Sequence, residues 1–512
     1  MNNLLLAVMV SQNLFAKTYG GTGKEYAYSV ARTSDGGYIV AGGTASYGAG
    51  QDDFLVIKIS PTGTPEWTRT FGGTNMDAAY SIIQTTDGGY MVAGETRSFV
   101  AGTAANIDFL ALKISSTGNP EWARTFGGAN EDFCRSIIQT SDGGYALVGF
   151  TRSYGVGLDD FLIIKISSAG ALEWAKTFGG TNYDNAFSIV QTIDGGYVVS
   201  GSTMSFGAGY WDLLLLKLSP TGTLEWARTY GGENNDFTTL PVIHTADSGF
   251  MFTGHTESFG AGEADLLVME LSSTGAPEWT RTFGGTDLDC ARSITRTGDG
   301  GFALAGWTLS FGAGSCDFFM IKISSAGSLE WARTFGGEGW DDPFSMIQTQ
   351  DGAYTVAGWT TGSFDGSDPG DFLVIRLDQN GNYLDCIQSC SPTTGPASIS
   401  ISSPGADLIP CNPSITNPNP SVTTPGLQVY DVCPPSSIEE PDKVQTWPQI
   451  ICVSDIRGVI FHASGEMEIK IYSSDGRLFC SEQLQRGQTS IPLGQGVYLW
   501  QAGPYKGKAV VR

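Results

Sequence analysis

Residues 127–178 read GGANEDFCRSIIQTSDGGYALVGFTRSYGVGLDDFLIIKISSAGALEWAKTF, and this stretch is one of seven similar copies. The other copies begin at Gly20, Gly72, Gly179, Gly231, Gly284 and Gly336, so that successive copies are 52 to 55 residues apart. A repeat of this length is typical of solenoids, propellers and other arrays of one structural unit. The repeat therefore decides the fold class.

Turn residues divide this copy into four short predicted strands, at 136–140, 145–150, 161–166 and 172–178. The first two flank Ser-Asp-Gly-Gly, a hairpin turn in which glycine supplies the positive φ that other residues resist. The third is rich in β-branched and aromatic side chains, and the fourth carries Trp174. Four antiparallel strands make one propeller blade, which needs neighbours to cover both of its faces. Seven copies predict an all-β, seven-bladed β-propeller of four-stranded blades at 17–388.

The N-terminal residues 1–16 read MNNLLLAVMVSQNLFA and allow two interpretations. The apolar run at 4–10 is typical of a signal peptide and is too short to span a bilayer. Alternatively, LFAKTYGG at 14–21 matches the EWARTFGG that ends other copies, while the last copy has Asp385 where the tryptophan should stand. On this interpretation the N-terminal strand completes the last blade and closes the ring. The two interpretations conflict only if cleavage follows Ala16.

The composition limits the classes of partner and of chemistry. There are 28 basic and 52 acidic residues, a formal charge of −24, which argues against nucleic acid because its phosphates would be repelled. Cations, sugars and basic proteins remain, and no transmembrane segment is predicted. Gly-x-Ser-x-Gly, a phosphate loop and His-Glu-x-x-His are all missing, and the chain has only 3 histidines. We therefore assign no catalytic residue.

The first hairpin turn carries Asp-Gly-Gly-Tyr in four copies, as at 142–145, and the variants DSGF, DGGF and DGAY in the other three. In this the chain resembles the DGGY-type propeller repeats of bacterial surface proteins. The resemblance covers all seven copies and implies no single activity.

After the last copy the composition changes. Residues 389–447 are rich in Ser, Pro, Thr and Asn, which predicts a linker or an extension held against the ring. In a secreted protein, nearby cysteines favour disulfides over a metal site, and four cluster from just before this segment onward: Cys386, Cys390, Cys411 and Cys433. Inside the blades, cysteines are predicted to be small buried apolar side chains, and these are Cys134, Cys290 and Cys316.

Residues 448–512 form a second predicted β unit, with MEIKIYSSDGRLF at 467–479, GVYLW at 496–500 and GKAVVR at 507–512. As a set, these segments resemble the type A C-terminal sorting domain of type IX secretion cargo. The resemblance implies an immunoglobulin-like β-sandwich and the type IX secretion machinery as a partner. It also implies delivery outside the cell or to the outer-membrane surface of a Gram-negative bacterium.

Two acidic positions recur in every copy. One lies five residues after the opening glycine, and the other precedes the third strand: Glu25, Asp77, Asp132, Asp184, Asp236, Asp289 and Asp341, then Asp53, Asp108, Asp160, Asp212, Asp265, Asp317 and Asp371. Because every copy has them, hydrogen bonding in turns and loops is the favoured role, with calcium binding as the alternative. Calcium is also the alternative for DGSDPGD in the last copy, with Asp365, Asp368 and Asp371 as ligands. No other cofactor is implied.

Positions that differ between copies are the better candidates for ligand recognition. After the glycine near the end of the second strand come Glu95, Phe150, His255, Trp307 and Trp359, and at the start of the innermost strand come Arg135 and Arg292. An arc of His255, Trp307 and Trp359 is suited to stacking on a sugar or holding a peptide, with ordinary packing between blades as the alternative. The sequence thus favours a secreted or cell-surface, non-enzymatic binding protein for a glycan or protein ligand on the loop-rich face. A glycoside hydrolase or lyase with carboxylates at the ring mouth is the alternative.

Overall fold

The computed structural model describes residues 14–100, 106–238, 241–312, 315–336, 339–361 and 370–383, and after these only the backbone of short strands between 387 and 511. The chain divides into two compact units, Met1–Ser436 and Ser437–Arg512. The described residues are strands, turns and loops. None of them belongs to a helix long and apolar enough to cross a membrane.

The described strands of the first unit form seven antiparallel sheets. The N-terminal strand is β1 (Phe15–Gly20). Blade one contains β2 (Glu25–Arg32), β3 (Tyr38–Thr44), β4 (Asp53–Ile59) and β5 (Pro65–Gly72); blade two contains β6 (Asp77–Gln84), β7 (Tyr90–Thr96), β8 (Asp108–Ile114) and β9 (Pro120–Gly127). Blade three contains β10 (Asp132–Gln139), β11 (Tyr145–Thr151), β12 (Asp160–Ile166) and β13 (Leu172–Phe178); blade four contains β14 (Asp184–Gln191), β15 (Tyr197–Thr203), β16 (Asp212–Leu218) and β17 (Leu224–Gly231). Blade five contains β18 (Asp236–Phe237), β19 (Ile243–His244), β20 (Phe250–Thr256), β21 (Asp265–Leu271) and β22 (Pro277–Gly284). Blade six contains β23 (Asp289–Arg296), β24 (Phe302–Thr308), β25 (Asp317–Ile323) and β26 (Leu329–Phe335); blade seven contains β27 (Asp341–Gln348), β28 (Tyr354–Thr360) and β29 (Asp371–Leu377).

These sheets confirm the predicted all-β, seven-bladed propeller with four-stranded blades. Neighbouring blades pack face to face, so that Met91 and Phe109 of blade two share one apolar cluster with Leu147 and Ile164 of blade three. The three blade cysteines are free and buried, as predicted. Apolar area removed from water between the blades is the main force that holds the ring together.

The inner strand of blade three begins at Asp132, four residues before the predicted start at Ser136. The reason is a β-bulge between Cys134 and Ser136, where the pairing with β11 shifts by one residue. A bulge reverses the alternation of inward and outward side chains. The residues before it therefore do not follow the strand pattern that begins at Ser136.

The N-terminal strand β1 is the outer strand of blade seven. It pairs antiparallel with β29, with Phe15 opposite Arg376 and Tyr19 opposite Phe372. The ring is thus closed by strands from both ends of the propeller, the arrangement of the ring-closing interpretation. Residues 1–13 lie outside the described residues, so the signal peptide stays a prediction.

A fifth strand is added to the outer edge of every blade by the segment 387–431, which we call the belt. Its strands pair in turn with the outer strands of blades six, five, four, three, two, one and seven. They are β30 (Ile387–Ser389), β31 (Thr393–Pro396), β32 (Ser400–Ser402), β33 (Ile409–Pro410), β34 (Ser414–Thr416), β35 (Ser421–Thr423) and β36 (Gln428–Asp431). The belt therefore runs once around the ring, opposite to the order of the blades. The other residues of the predicted linker 389–447, and the four cysteines expected to form disulfides, lie outside the described residues.

The second unit contains two antiparallel sheets, with strand orders β37-β38-β41 and β40-β39-β42-β43. Its strands are β37 (Ile451–Asp455), β38 (Gly458–Ala463), β39 (Met467–Ser473), β40 (Leu478–Leu484), β41 (Gly487–Ile491), β42 (Gly496–Ala502) and β43 (Tyr505–Val511). The terminal strand β43 pairs with β42, with Val510 opposite Val497. The immunoglobulin-like sandwich and the sorting role of 448–512 stay predictions.

Candidate ligand-binding face

One face of the ring carries the loops between the second and third strands and the connections between blades. We call it the loop face. The innermost strands begin on this face and run to the opposite face, which carries the tight hairpin turns. Each connection between blades is hydrogen-bonded to the loop between the second and third strands of the preceding blade. At the first boundary, for example, the Asp77 N–H donates to the Asp52 carbonyl at 2.7 Å.

The first set of recurring carboxylates joins two loops of the loop face. Asp132 accepts hydrogen bonds from the Gly128 N–H at 2.7 Å and the Ser153 hydroxyl at 2.8 Å, and a third from the Thr151 hydroxyl. Asp184 repeats this arrangement in blade four, with the Gly180 N–H at 2.7 Å. These contacts are those expected for a role in loop hydrogen bonding.

The second set holds the loops between the second and third strands. The Oδ2 atom of Asp160 accepts the N–H groups of Val156 and Gly157, both at 3.0 Å. Burial, together with the charge of Asp184 across the blade boundary, raises the pKa of Asp160 to about 6. The pKa values of Asp53 and Asp212 are likewise raised to about 6.

The predicted calcium ligands fall mostly outside the described residues. Asp365 and Asp368 lie there, while Asp371 begins β29. Within the ranges that the structure describes, no three His, Cys, Asp or Glu side chains are grouped as metal ligands. Calcium binding at 365–371 therefore stays a prediction.

Bulges on the inner strands place variable residues in the central channel. A bulge leaves one residue outside the ladder and re-aims its side chain. In six blades the bulged residues are Tyr28, Tyr80, Arg135, Phe187, Arg292 and Phe344. They line a cavity of about 430 Å³ together with Pro241 of blade five and the serines that follow the bulges. Of the seven predicted ligand-binding residues, Arg135 and Arg292 line this cavity.

The serines after the bulges hold neighbouring inner strands together. The Ser29 hydroxyl accepts the Ile82 N–H of the next blade at 3.1 Å, and Ser293 accepts the Met346 N–H at 2.9 Å. The serine position thus serves ring closure, whereas the bulged position before it is free to differ between blades.

Arg135 brings three of the predicted residues together across the boundary of blades two and three. Its guanidinium donates to Glu95 and lies 5.1 Å from the centre of the Phe150 ring. It also lies 4.6 Å from the centre of the Tyr80 ring. The Arg135 guanidinium thus has both its ion-pair partner and its aromatic contacts within the protein.

Arg292 has a similar environment on the other side of the channel. It pairs with Asp342 at 3.2 Å and lies over the Phe344 ring at 5.5 Å. Each channel arginine is therefore paired with a carboxylate, the buried Glu95 or the partly buried Asp342. We do not expect the channel to act as an anion site.

The predicted aromatic arc is more buried than its sequence suggests. The His255 ring lies 3.4 Å from the Phe237 ring, centre to centre, and only 7% of the residue is exposed. Burial, with the charge of Arg292, lowers the pKa of His255 to about 3, so that this side chain is neutral at physiological pH. Trp359 is half-buried and contacts Tyr26 at 5.4 Å between ring centres, and Trp307 is half-buried as well.

Sequence reasoning did not single out the exposed apolar side chains of the loop face. Of the seven large apolar residues that are exposed in the described part of the chain, six lie on this face: Val156, Leu158, Tyr183, Tyr210, Leu309 and Trp340. The seventh, Ile193, lies in a hairpin turn of the opposite face. The sequence did contain a signal for them, because this position of the repeat varies between copies. Leu158 and Tyr210 occupy it in blades three and four, whereas other copies have a polar residue there: Gln51, Glu263 and Ser315.

The chain matches no protein-family model and no curated protein. Among the solved structures with distant similarity to it are the following three. A protein of unknown function from Bacteroides caccae has 10% identity and a TM-score of 0.33, over 55% of this chain and 90% of that one. A eukaryotic initiation factor has 11% identity and a TM-score of 0.32, over 77% and 98%. PorZ, a surface component of the type IX secretion system of Porphyromonas gingivalis, has 8% identity and a TM-score of 0.24, over 97% and 99%. At these values the similarities carry no inference about function.

Proposed function

We propose that this chain is a secreted or cell-surface binding protein without enzymatic activity, whose propeller binds a glycan or protein ligand on the loop face. The observation that carries the proposal is the concentration of exposed apolar side chains on that face, six of seven in the described residues. Clustered exposed apolar side chains on a soluble protein mark interaction sites. Positions that are the same in every blade are needed for packing and for the turns. The exposed apolar residues lie at positions that differ between blades, so they are available for ligand recognition.

The hydrolase or lyase alternative needs carboxylates that reach a substrate. The described carboxylates of the first set, such as Asp132 and Asp341, are at most 1% exposed and bonded to loop donors. A general acid or base must come within hydrogen-bond reach of the substrate proton that it moves. This favours binding over turnover.

The binding proposal is tested with the full-length protein on glycan and peptide arrays, together with a hydrolysis screen. We expect a ligand whose binding is weakened at least about tenfold by Tyr210→Ser combined with Tyr183→Ser. Ile193→Ser, an exposed apolar residue of the opposite face, is the matched control and should bind as the wild type does. Turnover of any substrate, or equal binding by all variants, would overturn the proposal.

We also propose that residues 448–512 direct export by the type IX route, on the strength of their resemblance to sorting domains. Fused to a reporter exported to the periplasm, they should carry it to the cell surface of a type IX-competent host. The same fusion without 508–512 is the matched control. It loses most of β43, so it should stay in the periplasm because β42 is left unpaired along that edge. Equal surface delivery of both fusions would contradict this role.

A further inference from the structure

A row of apolar side chains crosses blades three and four on the loop face; four of them are exposed and the fifth, Trp211, is half-buried. Val156 and Leu158 lie in the loop of blade three and are 60% and 51% exposed. The Leu158 N–H donates to the Asn182 carbonyl at 3.2 Å, next to Tyr183. The Tyr183 ring is in turn 6.4 Å from the Trp211 ring, which is adjacent to Tyr210, 73% exposed. We call these five residues, 156, 158, 183, 210 and 211, the apolar strip.

The apolar strip continues into an acidic edge on blade five. Gly209, next to Tyr210, packs so closely on blade five that an added Cβ would lie 2.1 Å from the Asn234 carbonyl oxygen. The Asn234 side chain donates to the Glu257 carbonyl at 3.1 Å. Glu233 and Glu257 are both exposed beside Asn234. We call these two glutamates the acidic edge.

The charges at the two ends of the strip differ in their pairing. At the Leu158 end, Arg152 forms salt bridges with Glu131 and with Asp159, the latter at 2.7 Å. At the other end, neither glutamate of the acidic edge forms a salt bridge with a described residue. At the Leu158 end the two carboxylates thus share a described cation, Arg152. At the other end the glutamates have no described cation, and Glu257 accepts a hydrogen bond only from the neutral Asn235 amide at 2.7 Å.

We propose that the apolar strip and the acidic edge together bind a polypeptide segment that carries apolar side chains next to Lys or Arg. The proposal deepens the proposed function by naming the ligand class of the loop face, and it rests on that function. Tyr and Trp are enriched in protein interfaces, where a few such side chains supply most of the binding energy, and the aliphatic Val156 and Leu158 add apolar area beside them. Val156 and Leu158 present no ring on which a sugar could stack, which favours a polypeptide over a glycan.

Charge complementarity selects the basic partner. The chain carries a formal charge of −24, so a cationic segment is attracted from a distance as well as at the contact. A Lys or Arg of the bound segment would form its ion pairs with the two glutamates of the acidic edge. An acidic or neutral segment would leave them unpaired.

The test is selection from a display library of random short peptides on the immobilised full-length protein. We expect enriched peptides to contain Lys or Arg beside aromatic or aliphatic residues. Their affinity should fall at least about tenfold with Leu158→Ser combined with Tyr210→Ser, since two anchors are lost. It should fall several-fold with Glu233→Gln combined with Glu257→Gln, and raising NaCl from about 50 mM to about 300 mM should weaken the wild type more than this variant.

Ile193→Ser on the opposite face is the control for a nonspecific surface effect and should leave affinity unchanged. Thermal unfolding of each variant should match the wild type, since all substituted side chains are exposed. Enriched peptides without basic residues, enrichment insensitive to the glutamate substitutions, or no enrichment at all would overturn this inference. A glycan whose binding is lost in the Leu158 and Tyr210 variant would overturn it too, but would leave the proposed function standing. Failure of every ligand class at the loop face would overturn both.

Discussion

The indole of Trp67, on the outer strand of blade one, lies against Gly118 in the last turn of blade two. An added Cβ at Gly118 would lie 2.9 Å from the Trp67 ring, and the Trp67 Nε1–H donates to the Ser116 carbonyl of the same turn at 3.3 Å. The same aromatic–glycine contact recurs at every blade boundary: Trp122 with Gly170, Trp174 with Gly222, Trp226 with Gly275, Trp279 with Gly327, Trp331 with Gly381 and Phe15 with Gly63. At each boundary one ring on a bare backbone thus adds to the apolar packing and the serine hydrogen bonds that hold neighbouring blades together.

Gly118→Ala should destabilise the propeller by about 1–3 kcal/mol more than Gly88→Ala. Both glycines have positive φ, +78° and +85°, but nothing lies within 4 Å of an added Cβ at Gly88. The control therefore reports only the backbone cost, about 1 kcal/mol, and the difference reports the clash with Trp67. Denaturant unfolding midpoints measure both. An equal loss of unfolding free energy in the two variants would show that the Trp67 ring can move away from the added Cβ without destabilising the propeller.

The stability of the ring should depend on pH in two separate windows. Asp160 has its pKa raised to about 6 by burial, against about 3.9 in an unfolded chain. Its stabilising contribution is therefore complete below about pH 4 and is lost as the pH rises through 6. Burial alone would raise the pKa of Asp142, but hydrogen bonds from Thr140 and Lys165 outweigh it and hold that pKa at about 2. This second contribution is present above about pH 4 and is lost as the pH falls toward 2.

Asp160→Asn should therefore reduce the loss of thermal stability between about pH 4 and pH 7 by the share of one carboxyl, because Asp53 and Asp212 contribute in the same range, and it should leave the acid limb unchanged. Asp142→Asn is the matched control, and it should reduce the loss on the acid limb only, again by one share, because Asp87 and Asp299 also have a pKa of about 2. Thermal unfolding followed by circular dichroism across this pH range measures both limbs. Parallel curves for wild type and Asp160→Asn would contradict the raised pKa.

Removal of residues 1–20 should open the ring, because β29 loses the strand that completes blade seven and Gly63 loses Phe15. An exposed edge strand favours association with other chains. Removal of 1–13 keeps β1 and should leave a monomer of wild-type stability. Light scattering and unfolding midpoints compare the two variants, and a stable monomer without β1 would show that three strands suffice for blade seven.

The belt should protect the outer edges of the blades from association. Truncation after Ser436 keeps all belt strands, whereas truncation after Tyr383 removes them and exposes the edge strands, among them β9 and β13. Each exposed edge presents unpaired N–H and C=O groups to other chains. We expect the shorter variant to form concentration-dependent oligomers on size exclusion and the longer one to remain monomeric. Monomers in both cases would mean that the belt strands contribute no protection.

Much of the propeller followed from local signals in the sequence. The glycine turns, as at Gly143 and Gly170, mark where each strand ends because they need positive φ, +83° and +77°. The match of residues 14–21 to the end of other copies likewise predicted the strand that closes the ring. These features are readable because each depends on a few neighbouring residues that recur in every copy.

The candidate site depended on tertiary structure instead. The pairing of Arg135 with Glu95 and the alignment of Leu158, Tyr183 and Tyr210 cross blade boundaries, where residues far apart in sequence meet. The burial of His255 depends on the pairing of two strands of blade five, which sets its ring against Phe237. For the belt the sequence predicts only a linker or an extension held against the ring, because its strands are at most four residues long and pair with edges that are distant in sequence. The repeat by itself determined the blades, since their turns and strands are local. Only ring closure decided which variable side chains are covered and which stay in contact with water.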